Sequence, residues 1–285
     1  MTLGYAHLVG LENPILPEDT CVYLDGITYH SPLPDLSELV FELFEALGSE
    51  VLQVVVGEEA GLKSKARSPH WLRRELSHSE TYQPPPWDTL QFFPSKRTTV
   101  EETWFPDVYA AMTFTDKANS LFFSFKSGER SICSDMLRLM SPHVEACATY
   151  VFPFPHAFSP LAYYWGIAVM PDDPRLRYGE REEKRLEYHR DNTRIGILGR
   201  TKRRFYNVCE GYVRDVYPMM ILSEVHRNCL VSNLPFEEFI KPHGSLTELG
   251  NGYFQVMVEP SEIAVAQRLW DDSGLTLSAF RRTSP

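Results

Sequence analysis

The amino-acid sequence predicts an α+β fold, in which mixed or antiparallel sheets pack against amphipathic helices. Three patterns indicate this class: an amphipathic helix near the amino terminus, a two-stranded hairpin in the middle, and a strand–helix–strand order near the carboxyl terminus. Strands and helices do not alternate strictly along the chain. This order favours an α+β architecture over a doubly wound parallel sheet.

The chain has 285 residues, of which 43% are hydrophobic and 23% are charged, a balance typical of a folded globular protein. A single hydrophobic core stops growing at about 250 to 300 residues. We therefore expect one α+β domain over residues 1–285. Two subdomains that meet near residues 82–88 or 152–160 are the alternative.

A helix and then a strand are predicted at residues 35–57. Asp35 occupies the N-cap position and Glu38 follows three residues later, as in a capping box. The β-branched segment 51–56 ends at Gly57 and is typical of a strand. The helical period is carried by the apolar residues Leu36, Leu39, Val40, Leu43, Phe44 and Leu47.

The middle of the chain changes repeatedly between polar, proline-rich and apolar segments. Strands at 107–115 and 120–127 flank a polar turn and predict a hairpin. The other predicted elements are a polar surface segment at 57–67, a short helix at 71–76, a stiff proline connector at 83–87, a helix at 129–148, a short strand at 150–154 and a buried strand at 161–170.

The last hundred residues begin with a highly charged, solvated block at 175–204. The apolar run 219–222 is predicted to be buried, and 252–258 reads as a strand. A helix is predicted to begin at Pro260, to end before Gly274 and to lead into a last strand at 275–277. One face of this helix carries Ile263, Ala266, Leu269 and Trp270.

The net charge of −10 and the isoelectric point near 5.4 disfavour nucleic acid and permit a basic partner. No secretion signal and no apolar segment of spanning length is recognisable, so we expect a soluble, cytoplasmic protein without a membrane partner. The five cysteines form no CxxC pair and are expected to be free thiols. No metal or cofactor is predicted.

Two near-motifs lack the residues that their chemistry needs. The segment 57–64 is similar to a phosphate-binding loop, but Leu62 stands where glycine is required. The segment 194–204 pairs a GxxG with five basic residues, yet Ile197 and Leu198 occupy its centre. Surface turns explain both segments better than nucleotide or nucleic-acid sites do.

The segment GYVRDVYPMMILSEVH, residues 211–226, contains the best candidates for a polar site. In one interpretation Arg214 and Asp215 are structural, each bound to its own partners where the charged block enters the core. In the other, Arg214, Asp215 and His226 form a polar site, with Cys209 nearby, that acts on a small molecule. The structural interpretation is favoured, and no catalytic residue is assigned.

Three segments of the second half resemble the immunity-type proteins with which bacteria neutralise toxins of type VI or contact-dependent secretion systems. These are residues 164–166 (YWG), 211–218 (GYVRDVYP) and 252–256 (GYFQV). The resemblance implies a protein that binds and blocks a cognate bacterial effector, with nucleases among the candidates. It implies no catalysis and no cofactor.

A cognate protein toxin of basic character is the partner that this resemblance and the acidic composition favour. The alternative function is a small-molecule hydrolase or transferase that uses Arg214, Asp215 and His226. For the leading function, the predicted partner-binding residues are the paired carboxylates Glu58, Glu59, Asp172, Asp173, Glu182, Glu183, Asp271 and Asp272.

Overall fold

The computed structural model describes residues 18–58, 63–77, 87–99, 104–114, 119–126, 130–164 and 208–276. Its centre is a ten-stranded sheet in which all described pairings between neighbouring strands are antiparallel. Helices accompany this sheet, so the structure agrees with the predicted α+β class, with strands dominating.

The strands are numbered along the chain. They are β1 (Glu18–Tyr29), β2 (Gln53–Glu58), β3 (Lys63–Arg67), β4 (Thr89–Phe93), β5 (Val108–Thr113), β6 (Ser120–Lys126), β7 (Val144–Pro155), β8 (Met219–Ser223), β9 (Leu230–Val231), β10 (Leu234–Pro235), β11 (Ser245–Gly250) and β12 (Tyr253–Met257). The order across the sheet is β11-β12-β8-β7-β1-β6-β5-β4-β2-β3, and β9 pairs separately with β10.

The helices are mostly short. They are α1 (Leu33–Ala46), α2 (Pro69–Leu76), α3 (Arg130–Met140), α4 (Pro160–Tyr164), α5 (Glu224–Arg227), α6 (Phe236–Ile240) and α7 (Ile263–Asp272). Two single 3₁₀ turns, His156–Phe158 and Val208–Glu210, complete the described elements. Within the described residues, no helix combines the length and the apolar character needed to cross a membrane.

The two longest strands, β1 and β7, pair with each other near the middle of the sheet, with Tyr23 opposite Tyr150. Alternate side chains of a strand point to opposite faces, and both faces of β1 are buried. Tyr23 belongs to one core, while Val22 and Leu24 belong to the other. The sheet therefore separates two hydrophobic cores.

Helix α1 covers the second core, into which it buries Leu36, Val40 and Phe44 completely. It begins at Leu33 with Pro32 at its N-cap, so the prediction of Asp35 as the N-cap is wrong. Proline is well accommodated in the first helical turn, where its missing N–H has no partner to lose, and Pro34 lies there. Asp35 is consequently a first-turn residue.

Two strands at one end of the sheet differ from the prediction for residues 51–67. Strand β2 begins two residues later than predicted, and the segment predicted to be a polar surface turn contains the edge strand β3. The side chains of residues 64–67 are exposed, because β3 has a neighbour on one side only. Exposure explains why its sequence lacks an apolar alternation.

The helix predicted at 129–148 is shorter, because α3 ends at Met140 and β7 begins at Val144. Val144, Ala146 and Ala148 are buried in alternation with less buried neighbours, so pairing with β1 overrides their helical propensity. The strand predicted at 161–170 is also wrong where it is described: residues 160–164 form α4, and 165–170 lie outside the described residues.

The carboxyl-terminal predictions agree more closely with the structure. The run 219–222 lies in β8, where Met220 and Leu222 are fully buried, and β12 lies within the predicted 252–258. Helix α7 begins at Ile263, three residues after the predicted start, and Leu269 is 41% exposed rather than part of the buried face. The predicted last strand is represented by a single bridge between Val213 and Thr276.

Gly26 is a point of very close packing in β1. It has a φ of +66°, in the left-handed region, and lies between Asp25 and Ile27, which pair with Ala148 and Ala146 of β7. A Cβ atom on Gly26 would stand 2.6 Å from the sulfur of Cys209 and 2.9 Å from Cγ2 of Val208. The turn Val208–Glu210 can therefore pack on β1 only because residue 26 has no side chain.

We expect Gly26→Ala to destabilise the protein by about 2 to 5 kcal/mol, since left-handed strain costs about 1 to 2 kcal/mol and overpacking about 1 to 3 kcal/mol. Gly48→Ala is the matched control: its φ is +69°, but no described heavy atom lies within 4 Å of the added Cβ. Urea unfolding of both variants measures the difference. Equal losses would show that crowding at Gly26 contributes nothing.

Candidate functional site

Arg214 is fixed at the centre of the molecule by its backbone and its side chain together. Its N–H donates to the hydroxyl of Tyr150, 3.0 Å away in β7. Its Nε donates to Oδ2 of Asp25 at 3.2 Å, and its Nη2 donates to the hydroxyl of Tyr23. The guanidinium carbon also lies 4.2 Å from the centre of the Tyr23 ring.

The ion pair between Arg214 and Asp25 is largely withdrawn from water, with side-chain exposures of 16% and 10%. Such a pair is stable only when its remaining polar atoms find hydrogen bonds. The hydroxyl of Tyr23, which accepts from Nη2 of Arg214, and the N–H of Gly26, which donates to Oδ1 of Asp25 at 3.0 Å, supply them. Arg214 therefore attaches the segment before β8 to β1 and β7.

The tyrosines around Arg214 are un-ionised at neutral pH. Burial raises the pKa of Tyr23 and of Tyr150 well above its ordinary value, and it raises the pKa of Tyr164 to about 12. Tyr164 contacts the hydroxyl of Ser120 at 3.0 Å. These phenols can donate hydrogen bonds but are poorly suited to act as bases.

Asp215 is fully buried and faces the carboxyl-terminal helix. The N–H of Val216 donates both to Oδ1 of Asp215, at 3.2 Å, and to Oε1 of Gln267, at 3.0 Å. Gln267 in turn donates from Nε2 to Asp271 at 2.8 Å, and Thr276 donates to the same carboxylate oxygen. This chain of hydrogen bonds joins the segment before β8 to α7.

His226 is buried completely in α5, where both ring nitrogens have partners. Nε2 lies 3.1 Å from the carbonyl oxygen of Tyr212, and Nδ1 lies 3.4 Å from the hydroxyl of Ser223. Burial lowers the pKa of His226 to about 4, so the ring is neutral at pH 7. In this state Nε2–H donates to Tyr212, and Nδ1 accepts from Ser223.

The structure thus gives Arg214, Asp215 and His226 three separate sets of partners. Arg214 binds β1 and β7, Asp215 binds the backbone beside α7, and His226 closes the short α5 turn. Cys209 contacts Gly26 and Cys147. These contacts correspond to the structural interpretation of the segment, in which Arg214 and Asp215 each find their own partners.

A contact between the partly exposed His156 and the buried Asp19 joins β1 to the 3₁₀ turn after β7. Nδ1 of His156 lies 2.7 Å from Oδ2 of Asp19, whose residue is 1% exposed. The hydrogen bond to Asp19 raises the pKa of His156. Within the described part of the chain, no three His, Cys, Asp or Glu residues are grouped as they would be around a metal ion.

Few of the paired carboxylates predicted to bind a partner lie in the described part of the chain. Glu58 is the last residue of β2, and Asp271 and Asp272 end α7. Asp271 accepts two hydrogen bonds within the fold, whereas Asp272 is exposed. The others lie outside the described residues: Glu59, Asp172, Asp173, Glu182 and Glu183.

The acidic face of α1, defined here as Asp35, Glu38, Glu42 and Glu45, is a feature that the sequence analysis missed. All four side chains are exposed, on the side of the helix opposite its buried face. The sequence does carry a signal for it, because eleven Asp and Glu residues but no Lys or Arg precede Lys63.

The acidic face is retained against the helix's own electrostatic preferences. Carboxylates spaced three or four residues apart repel one another by about 0.2 to 0.5 kcal/mol per pair. Glu42 and Glu45 lie near the carboxyl-terminal end, where the helix dipole favours cations, and the last turn carries no basic residue. The burial of the opposite face outweighs these costs.

A small groove borders the acidic face between α1 and α2. Its volume is 150 Å³, less than the roughly 300 to 1,000 Å³ of clefts that bind small molecules. Arg73 crosses it to Glu38 with two hydrogen bonds of 2.8 and 3.0 Å. The hydroxyl of Ser37 lines the same groove, is buried and has no described hydrogen-bond partner.

Comparison with known proteins gives a similarity of fold. No protein-family model matches the sequence, and no curated protein matches it. Among solved structures, the fold is similar to that of Pseudomonas aeruginosa T6SS protein PA0821, with a TM-score of 0.50 and 12% sequence identity. The match covers 97% of this chain and 78% of the other. At this identity the similarity concerns the fold alone.

We expect Arg214→Met to destabilise the protein by about 3 to 5 kcal/mol, because the substitution leaves the carboxylate of Asp25 buried without its cation. The double variant Arg214→Met/Asp25→Asn should recover part of this loss. Lys126→Met removes an ion pair whose partners are 62% and 65% exposed, so it should cost less than about 1 kcal/mol. Chemical denaturation that gives equal losses for Arg214→Met and Lys126→Met would contradict the central role of Arg214.

His226 should make the protein less stable in mild acid. Its folded-state pKa of about 4 lies below the ordinary 6.5, so between these values only the unfolded chain takes up the proton. The free energy of unfolding should fall by about 3 kcal/mol from pH 6.5 to pH 4 through this group alone.

Substitution of His226 by Gln keeps a donor for Tyr212 but cannot titrate, so this part of the acid-dependent loss should disappear in urea titrations at several pH values. His156→Gln is the control. The pKa of His156 is raised above 6.5 in the folded protein, so the stability that this group contributes is lost as the pH rises above 6.5. His156 therefore does not change the stability between pH 4 and 6.5. An unchanged pH 4 to 6.5 slope in His226→Gln would show that His226 does not titrate in this way.

Proposed function

We propose that this protein is a toxin-neutralising immunity protein that binds and blocks a cognate bacterial effector of basic character. The observation that carries the proposal is the acidic face of α1, an exposed row of four carboxylates on a helix without any basic residue. The similarity of fold to a T6SS protein supports an origin in the same kind of system.

The chemistry of the acidic face suits a basic groove. Successive carboxylates on one face of a helix stand about 5 to 6 Å apart, so a row of them presents regularly spaced negative charge. A nuclease binds the phosphate backbone of its nucleic-acid substrate through clustered Lys and Arg. A row of carboxylates can bind the same Lys and Arg residues in place of the phosphates. The net charge of −10 would also accelerate the encounter between the two proteins.

The groove beside the acidic face can give a partner short-range apolar and polar contacts. The charges of the acidic face act mainly at long range. Its walls include the apolar Leu72 and Leu76, the buried hydroxyl of Ser37 and the ion pair of Glu38 with Arg73. An arginine of the partner could replace Arg73 on Glu38 and stack in the groove. Specificity would then come from the groove, and association rate from the face.

The alternative function, a small-molecule enzyme, lacks comparable support. Arg214, Asp215 and His226 are engaged in bonds within the fold, and both Asp215 and His226 are fully buried. The perturbed pKa of His226 has a structural cause, since burial holds the ring neutral. These residues are better explained as parts of the core.

The proposed function is tested by co-expression with the protein encoded next to this one in its genome. We expect that neighbour to arrest growth when produced alone and to be neutralised by this protein, with a stable complex on gel filtration. Neutralisation that fails, with no complex detected, would refute the function.

The proposed surface is tested by the double variant Glu42→Gln/Glu45→Gln. Removal of two charges from the acidic face should lower the association rate with the neutralised toxin by about tenfold at low salt, and less at high salt. The control Glu238→Gln/Glu259→Gln removes the same charge from exposed positions elsewhere. Stopped-flow kinetics that give equal effects for the two pairs would assign the effect to net charge and reject the acidic face as the contact surface.

A further inference from the structure

Cys147 and Cys209 bring two free thiols together beside β1. Cys147 lies in β7 beside Gly26, and Cys209 lies in the 3₁₀ turn Val208–Glu210, its sulfur 3.9 Å from the carbonyl oxygen of Gly26. The thiols of Cys147 and Cys209 are close enough to influence each other's pKa. Cys209 is exposed and Cys147 is partly exposed, so small reagents can reach the pair.

The missing side chain of Gly26 creates the space in which these two residues meet. The position that a Cβ of Gly26 would occupy is 2.6 Å from the sulfur of Cys209 and 3.0 Å from Cβ of Cys147. Both cysteines therefore border one small volume. A disulfide requires Cβ atoms about 3.5 to 4.5 Å apart, so its formation requires the 3₁₀ turn to hold Cβ of Cys209 within that distance of Cβ of Cys147.

We propose that Cys147 and Cys209 form a redox-active dithiol that closes to a disulfide on reaction with a small-molecule disulfide such as oxidised glutathione. This role is independent of the proposed toxin partner. It concerns the attachment of the segment that begins at Val208 to the two central strands.

The reaction proceeds by two thiol–disulfide exchanges. The Cys147 thiolate attacks one sulfur of oxidised glutathione, forms a mixed disulfide and releases one glutathione thiolate. Cys209 then loses its proton to solvent and attacks the Cys147 sulfur, which forms the protein disulfide and releases the second glutathione thiolate. Two protein thiols are oxidised and one disulfide is reduced to two thiols, so the electrons balance.

The surroundings of the thiols support this order of attack. The neighbouring thiol of Cys209 lowers the pKa of Cys147, which favours its thiolate as the first nucleophile. The other cysteines are less suited to exchange: Cys21 and Cys133 are buried, and Cys229 donates to the carbonyl of Val225 at 3.3 Å while burial raises its pKa. Cys229 therefore serves as the control position.

The test is a glutathione titration of the full chain, followed by alkylation of the remaining thiols, tryptic digestion and mass spectrometry. Many Lys and Arg residues separate Cys147 from Cys209, so the digest places them on different peptides. We expect oxidised glutathione to link these two peptides in wild type and in Cys229→Ser. In Cys209→Ser we expect no link, and a glutathione adduct that persists on Cys147.

Thermal unfolding provides the second readout and confirms that each variant is folded. A disulfide that closes this long loop should raise the melting temperature of the oxidised wild type by roughly 5 to 10 °C, and dithiothreitol should reverse the rise. Cys209→Ser should show no such change. The proposal is overturned if the native wild type forms no Cys147–Cys209 link, if the link forms only in urea, or if glutathione adducts persist on either residue.

Discussion

The ion pair between Arg214 and Asp25 is the interaction on which the rest of the structure depends. Asp25 belongs to β1, which pairs with both β6 and β7 near the middle of the sheet. Arg214 reaches it from the segment that leads into β8, and its own N–H is held by Tyr150 of β7. Arg214 therefore fixes the segment before β8 against the central strands, in addition to the direct pairing of β8 with β7. The low exposure of the pair makes the loss of either partner costly.

Several titratable residues that resemble candidates for catalysis are part of the hydrophobic core. Tyr23, Tyr150 and His226 have strongly shifted pKa values because they are buried, and each is held by hydrogen bonds within the fold. Shifted values of this kind also occur in active sites, but a functional site additionally needs convergence of the groups. Here the groups and their partners lie on different elements and do not converge, so the pKa shifts result from burial in the core.

The surface offers the complementary feature. Helix α1 can tolerate four neighbouring carboxylates because its other side buries large apolar residues, each of which stabilises the fold by about 1.5 to 3 kcal/mol. The repulsion between the carboxylates amounts to a few tenths of a kcal/mol per pair. The acidic face is therefore unfavourable for the helix alone but costs the whole protein little, and we propose it as the surface that a basic partner contacts.

The sequence by itself determined those parts of the protein whose signal is local. The periodic apolar residues of α1 and α7, the β5–β6 hairpin and the apolar run of β8 depend on neighbours within one element, and so does the acidity of the first sixty residues.

The tertiary structure decided where long-range pairing competes with local preference. Val144 to Ala148 joined β7 because β1 lies beside them, and β3 formed as an exposed edge without an apolar pattern. Arg214 and Asp25 are 189 positions apart, and Cys147 met Cys209 only through the gap at Gly26. Such contacts depend on which strands are neighbours in the sheet, and the apolar periodicity of the sequence does not determine this order.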